Sequence, residues 1–151
     1  MSTIKTPTTL PQFIGDHLRR YLESDGADGH LWDSAPVGGP GPIPTLLLTT
    51  TGRRSGKSIT MPLIYGEADG AYVIVASKGG APTHPGWYLN LAAQPAVEVQ
   101  VIADKFRAVA RTATGEERAR LWKIMEKIYP PYNAYQAKTQ REIPVVVLER
   151  V

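Results

Sequence analysis

Short apolar, β-branched runs alternate along the chain with turns rich in glycine, proline and aspartate. Such runs are typical of strands. They fall at residues 44–50, 58–65, 71–76, 97–102, 105–112 and 143–148. The Asp69-Gly70 pair between the second and third runs favours a hairpin. About six strands with few strand–helix–strand alternations predict an α+β, mainly β, fold. The natural form is a small barrel of mostly antiparallel strands with peripheral helices.

Three other segments carry helical signals. In residues 10–23 the apolar side chains recur at the spacing of one helix face. Residues 86–93 predict a short second helix. The third helix is expected to begin at Thr114, where Glu117 would complete a capping box, and to end at Pro130.

The N-terminal part of the chain differs in character from the rest. Residues 24–42 are rich in glycine, aspartate and proline and predict a loop, in which Trp32 either caps the core or roofs a pocket. We expect one domain in which residues 1–42 form an extension of helix and loop and residues 43–151 form the barrel. Residues 1–24 are expected to be dispensable for the barrel. Their helix has two alternative roles, packing on its own domain or a weak peripheral membrane contact.

Composition limits the classes of function. The 151 residues hold 17 basic and 14 acidic side chains, for a net charge of +3, and no cysteine. The lack of cysteine excludes disulfides, thiolate metal sites and a cysteine nucleophile, and it fits a reducing cytoplasm. The three histidines are scattered, so no metal site is expected.

Partners and location follow from the same composition. The basic residues are not interleaved with aromatic ones, so no nucleic-acid partner is expected. No apolar run approaches the length of a membrane span. We therefore expect a cytoplasmic protein, with the N-terminal helix as its one candidate for membrane association, that binds an anionic small molecule.

Two basic, glycine-containing segments follow the first and third predicted strands. They are Gly52-Arg53-Arg54-Ser55-Gly56-Lys57-Ser58 and Ser77-Lys78-Gly79-Gly80. Glycine lets a backbone turn point its N–H groups at one spot, and neighbouring Arg and Lys then favour a phosphate or carboxylate ligand. A solvated turn is the alternative. The first segment is no phosphate loop of a nucleotide hydrolase, because only three residues separate its glycines and a strand follows it.

With these segments the sequence resembles the deazaflavin-dependent nitroreductases of actinobacteria, the A-type branch of the flavin/deazaflavin oxidoreductases. The resemblance covers roughly residues 43–149. Its motifs, in order, are LLTTTGRRSG at 47–56, MPL at 61–63, VASKGGA at 75–81, PGWYLNL at 85–91, YPPYNAYQ at 129–136 and IPVV at 143–146.

The resemblance implies a split β-barrel like that of the pyridoxamine-phosphate oxidases. It also implies binding of coenzyme F420, a deazaflavin with a phosphate and an oligoglutamate tail. The residues similar to the family's coenzyme contacts are Arg53, Arg54, Lys57, Pro62, Leu63, Ile64, Val75, Ala76, Ser77, Lys78, Gly79, Trp87 and Asn90. Many relatives carry an arginine just before the Pro-Leu pair, where this chain has Ile59-Thr60-Met61, and Lys57 is the candidate substitute.

The implied activity is hydride transfer from reduced F420 to a quinone, enone or nitro compound. The residues similar to the family's acceptor pocket are Ser77, Tyr129, Tyr132 and Tyr135. Their hydroxyls would hydrogen-bond the acceptor oxygen on which negative charge develops. Packing is the alternative for the tyrosines and for Trp87, and a plain turn for Ser77. An FMN-dependent reductase on the same fold and a non-catalytic coenzyme carrier are the alternative functions, and the oligomeric state, a homodimer included, stays open.

Overall fold

The computed structural model describes residues 12–151. The first two residues of the predicted N-terminal helix, 10–11, lie outside this range. The helices are α1 (Gln12–Ser24), α2 (Gly86–Ala93), α3 (Gly115–Ile128) and α4 (Pro131–Lys138). The strands are β1 (Leu31–Asp33), β2 (Pro42–Thr51), β3 (Ser58–Ile64), β4 (Gly66–Ala68), β5 (Ala71–Val75), β6 (Ala96–Val101), β7 (Asp104–Thr112) and β8 (Val145–Arg150).

The strands form one curled sheet in which every pair is antiparallel. The order is β1-β2-β6-β7-β8-β5-β4, and β3 pairs with β2 outside this path. The sheet therefore ends at β3 on one side and at β4, with the uncovered end of β5, on the other. The predicted mainly β split barrel is confirmed. Residues 12–151 form eight strands where about six were predicted. The difference is β1 and β4, which at three residues each are too short to show a period in the sequence.

The prediction that residues 58–65 and 71–76 form one hairpin was only partly right. Asp69 (φ 55°) and Gly70 (φ 77°) do form the tight turn, but the strands on either side of it are β4 and β5. β3 pairs instead with β2, from Thr45↔Ile64 to Thr51↔Ser58. The chain changes partner at Tyr65, and this change creates the gap in the barrel.

Pro62 helps explain why β3 stays at an edge. Proline has no N–H to donate to a ladder, so it is confined to edge strands and bulges. It lies opposite Leu47 of β2, and within residues 12–151 no second strand pairs with β3.

Both faces of β2 are buried, which ties α1 to the sheet. Leu46 and Leu48 point into the barrel core. Leu47, on the other face, packs against Leu18 and Tyr21 of α1, both of which have no exposed surface. The Tyr21 hydroxyl also donates to the backbone carbonyl of Thr45 at 3.0 Å. This packing argues against the expectation that residues 1–24 are dispensable for the barrel. The apolar stripe of α1 packs against its own domain.

We predict that Leu18→Ala lowers the free energy of unfolding by about 3 kcal/mol, because it leaves a cavity under α1. Chemical denaturation followed by circular dichroism measures this change. Arg20→Ala is the control, since Arg20 is an exposed residue of the same helix. Equal stability of Leu18→Ala and wild type would mean that α1 is not part of the cooperative fold.

The C-terminal helices differ from their prediction in two details. Thr114 is the N-cap residue of α3, but its side chain makes no capping hydrogen bond. Glu117 pairs instead with Arg111 of β7, at 2.6 Å between Oε1 and Nη1, so the capping box was wrong. After Pro130 the chain forms a new helix, α4, with Pro131 in its first turn, where proline's fixed φ is compatible with a helix. Within residues 12–151 no helix is long and apolar enough to cross a membrane.

Candidate functional site

A cavity of about 830 Å³ occupies the gap in the sheet between β3 and the end of β5. Its wall also includes the loop of residues 52–55, the turn at residues 77–79, the start of α2 and three tyrosines beside and within α4. These segments are far apart in sequence, and the partner change at Tyr65 brings them together.

Residues 52–55 of the 52–57 loop line the cavity, and Asn90 of α2 holds this loop. The buried Asn90 amide accepts two hydrogen bonds at Oδ1 from Arg53, one from the backbone N–H (3.1 Å) and one from Nη1 (2.9 Å). Its Nδ2 donates to the hydroxyl of Thr50 at 3.2 Å. Asn90 thus orients the Arg53 guanidinium before any ligand binds. Both residues line the cavity.

The positive charges on the cavity wall are unbalanced. Arg53, Arg54 and Lys78 line the cavity. Within residues 12–151 none of them forms an ion pair with a carboxylate, whereas Arg111 and Arg150 elsewhere on the barrel do. Cations that line one cavity without carboxylate partners attract an anion, and the low-dielectric wall strengthens this attraction.

Another part of the cavity wall is an apolar slot. It is lined by Met61, Pro62, Leu63 and Ile64 of β3, by Val75 of β5 and by Trp87 of α2. Because the outer edge of β3 has no strand partner within residues 12–151, its backbone N–H and C=O groups are left to a ligand. A flat, mostly apolar ring with polar edges suits this slot.

The turn formed by residues 77–80 has an unusual backbone. Lys78, Gly79 and Gly80 have φ angles of 46°, 63° and 80° in succession. Such a conformation is disfavoured for a residue with a Cβ, so Lys78 needs support from its surroundings. Ser77 lines the cavity, and its hydroxyl makes no hydrogen bond within residues 12–151.

The three tyrosines form one aromatic cluster on the cavity wall. The rings of Tyr129 and Tyr132 meet edge to face at 4.9 Å, and the hydroxyls of Tyr129 and Tyr135 lie 2.8 Å apart. The Tyr132 hydroxyl has no such partner within residues 12–151. Burial raises the pKa of the phenols of Tyr129 and Tyr132 above the usual value. Both stay protonated near neutral pH, and Tyr132 keeps a hydroxyl hydrogen to donate.

The structure brings most of the candidate residues together. Of the coenzyme and acceptor candidates, all but Lys57 and Ala76 line the cavity. Ala76 is fully buried in the barrel core. Lys57 is exposed at the end of its loop and does not line the cavity. The cavity wall therefore does not support the hypothesis that Lys57 replaces the missing arginine.

Several lining residues escaped the sequence analysis, among them Phe13, Ile14 and His17 of α1. Nε2 of His17 donates to the carbonyl of Gly29 at 2.7 Å, and burial lowers its pKa. No local signal marks this helix as a cavity wall, since its position depends on packing against β2. Trp32 lines the cavity and also packs on the core, so both of its alternative roles apply.

Cationic groups, an apolar slot and phenol hydroxyls in the gap of a split barrel suit a redox coenzyme with an anionic tail. The sequence model of the F420H(2)-dependent quinone reductase family matches residues 16–150. The chain belongs to this family, and the expected family, coenzyme class and enzyme class are confirmed. An F420H(2)-dependent quinone reductase of Mycobacterium tuberculosis is 42% identical over an alignment of 149 positions that covers 93% of this chain and 95% of that protein.

Solved structures agree with this assignment. A structure described as an F420-H2 dependent reductase is 48% identical, with a TM-score of 0.65 over 70% of this chain and 93% of that one. Another, described as a domain-swapped dimer, is 43% identical, with a TM-score of 0.68 over 89% of this chain and 95% of that one. A pyridoxamine 5'-phosphate oxidase-type protein of Listeria innocua, 11% identical with a TM-score of 0.51, shares the fold alone.

Proposed function

We propose that this protein transfers a hydride from reduced F420 to a quinone bound in the same cavity. The observation that carries the proposal is the set of three cations without carboxylate partners, Arg53, Arg54 and Lys78, on the wall of the same cavity as the apolar slot. Bound F420 supplies the hydride, and the protein supplies binding, orientation and hydrogen bonds.

In this proposal the residues divide by position. The three cations bind the phosphate and the carboxylates of the coenzyme tail by charge-assisted hydrogen bonds. The slot formed by β3, Val75 and Trp87 takes the ring system, and the free edge of β3 offers backbone groups to the polar ring edge. Exclusion of water by these apolar walls strengthens each electrostatic contact inside the cavity.

The hydroxyls of Tyr132 and Ser77 are the groups we assign to the acceptor. Each lines the cavity without a hydrogen-bond partner within residues 12–151, so each can donate to an acceptor oxygen. Because the pKa of Tyr132 is raised by burial, its phenol holds its proton and stabilises developing negative charge by a hydrogen bond. Enones and nitro compounds carry a similar oxygen and are the further acceptors expected.

Titration with oxidised F420 and FMN side by side tests the coenzyme assignment. We expect the fluorescence of F420 to be quenched or shifted at micromolar protein concentrations. FMN should bind at least about tenfold more weakly, because FMN lacks the oligoglutamate tail. Comparable or tighter binding of FMN would contradict the assignment of F420 as the coenzyme. Single-turnover oxidation of bound, reduced F420 by menadione then separates an enzyme from a coenzyme carrier, because a carrier would bind F420 without this reaction.

Membrane contact and self-association stay predictions. With Leu18 and Tyr21 buried, a membrane contact of α1 would depend on its first turn, where Phe13 is 62% exposed. Arg19 in the next turns is already engaged with Asp16 and Glu23. For self-association, the dimer described for the 43% identical relative makes a homodimer the assembly to expect.

A further inference from the structure

Arg141 lies between α4 and β8 and is not one of the residues that line the cavity. Its side chain nevertheless hydrogen-bonds the backbone beside the cavity. Its guanidinium donates to three backbone carbonyl oxygens: from Nε to Ala81 (2.8 Å), from Nη2 to Ser77 (2.7 Å) and from Nη1 to Ala76 (3.2 Å). These carbonyls lie at the start and the end of the 77–80 turn. One side chain therefore links the two ends of the turn by hydrogen bonds.

The turn needs such a link. Its three consecutive positive φ angles include Lys78, for which this conformation is disfavoured. The turn has two backbone hydrogen bonds of its own, from Gly80 N to Ser77 O (2.9 Å) and from Ala81 N to Lys78 O (3.1 Å). Because the carbonyl of Ser77 also accepts from Arg141, the guanidinium stabilises the same conformation that turns Ser77 and Lys78 toward the cavity.

The same arginine connects the turn to α4. Gly80 packs so closely on α4 that a Cβ at this position would lie 2.7 Å from the carbonyl oxygen of Tyr135. On the other side, Nε2 of Gln136 in α4 donates to the backbone carbonyl of Arg141 at 2.8 Å. The 77–80 turn and α4, which both contribute residues to the cavity wall, are thus held by one small network.

Lysine could not replace this arginine. A guanidinium presents five N–H donors in a planar fork, whereas an ammonium is a single charged point. Within residues 12–151 Arg141 forms no ion pair. Its remaining side-chain contact is Nδ1 of His84 at 3.0 Å, which accepts because arginine can only donate. The side chain is therefore used for geometry and not for pairing with a carboxylate.

We propose that Arg141 is a positioning residue that holds the 77–80 turn in the conformation with which Lys78 contacts F420 and Ser77 faces the acceptor. The part of this proposal that concerns F420 rests on the proposed function. The effect on the turn itself does not, and it can be measured without coenzyme.

The first arm of the test uses hydrogen exchange by NMR in the coenzyme-free protein, with Arg141→Lys and Arg141→Gln. We expect the amides of Gly80 and Ala81 to exchange about tenfold or more faster in both variants, while the amide of Val147 in the sheet keeps its wild-type rate. Lys138→Gln is the control for net charge, since Lys138 is exposed at the end of α4.

The second arm measures F420 affinity. Arg141→Lys should raise the Kd about tenfold, and Lys78→Ala should then add little in the Arg141→Lys background, because the turn no longer presents Lys78. Lys138→Gln should bind as wild type does. If wild type itself fails to bind F420, the proposed function falls, and the exchange arm still decides what Arg141 does.

Three results would overturn the role of Arg141. One is unchanged exchange at Gly80 and Ala81. Another is full additivity of Arg141→Lys and Lys78→Ala in the Kd, which would mean that the two residues act separately. The third is failure of both variants to fold, or equal loss of protection at Val147, since Arg141 would then serve the stability of the whole domain.

Discussion

Arg54→Ala and Lys78→Ala should each weaken F420 binding about ten- to a hundredfold with little loss of stability, because each removes one charge-assisted contact. Both side chains line the cavity, are exposed, and have no carboxylate partner within residues 12–151. Truncation therefore leaves no protein charge unpaired, and the cost appears in binding alone. Fluorescence titration gives the affinity, and thermal unfolding gives the stability.

The controls are matched by residue type. Arg107→Ala and Lys123→Ala each remove an exposed positive charge away from the cavity, and both should bind F420 as wild type does. Affinity of wild type should also fall as salt rises, and it should fall less in Arg54→Ala, which has one charge fewer to be screened. If both cavity variants bind F420 with wild-type affinity, the two basic segments are solvated turns that do not bind the coenzyme.

The fold could be predicted where its signals are local. The long strands and α2 follow from runs of apolar and β-branched residues, and the turn at Asp69-Gly70 follows from its residue types. The pairing of β3 with β2 could not be predicted, because either neighbour of the 58–65 run offers an apolar antiparallel partner. Tertiary packing decides between them, and the gap in the barrel is the result.

The same division applies to the site. The basic segments and the tyrosines carry their chemistry in their sequence, and the structure places them around one cavity. The wall formed by α1 and the control of Arg53 by Asn90 depend on contacts between distant segments. Arg141 is a further case. Its hydrogen bonds within residues 12–151 go to carbonyls and a histidine, and nothing in the sequence distinguishes it from an arginine on the surface.

Tyr132→Phe is expected to slow turnover about a hundredfold and to leave F420 affinity unchanged, because it removes one hydrogen-bond donor near the acceptor oxygen. The ring packs edge to face on Tyr129 and stays in the variant, so the shape of the cavity is kept. The loss isolates the hydroxyl, which has no protein partner within residues 12–151 that would be left unsatisfied. Steady-state kinetics with reduced F420 and menadione measure the effect.

The pH dependence of this loss tests whether the phenol acts in its protonated form. Since burial raises the pKa of Tyr132 well above the usual value, its phenol does not ionise between about pH 6 and 9. The ratio of wild-type to variant kcat should therefore be constant across that range. Tyr72→Phe is the matched control, because Tyr72 is a partly buried tyrosine whose hydroxyl lies outside the cavity wall. If Tyr132→Phe turns over menadione at the wild-type rate, Tyr132 is a packing residue and the hydroxyl of Ser77 becomes the candidate donor.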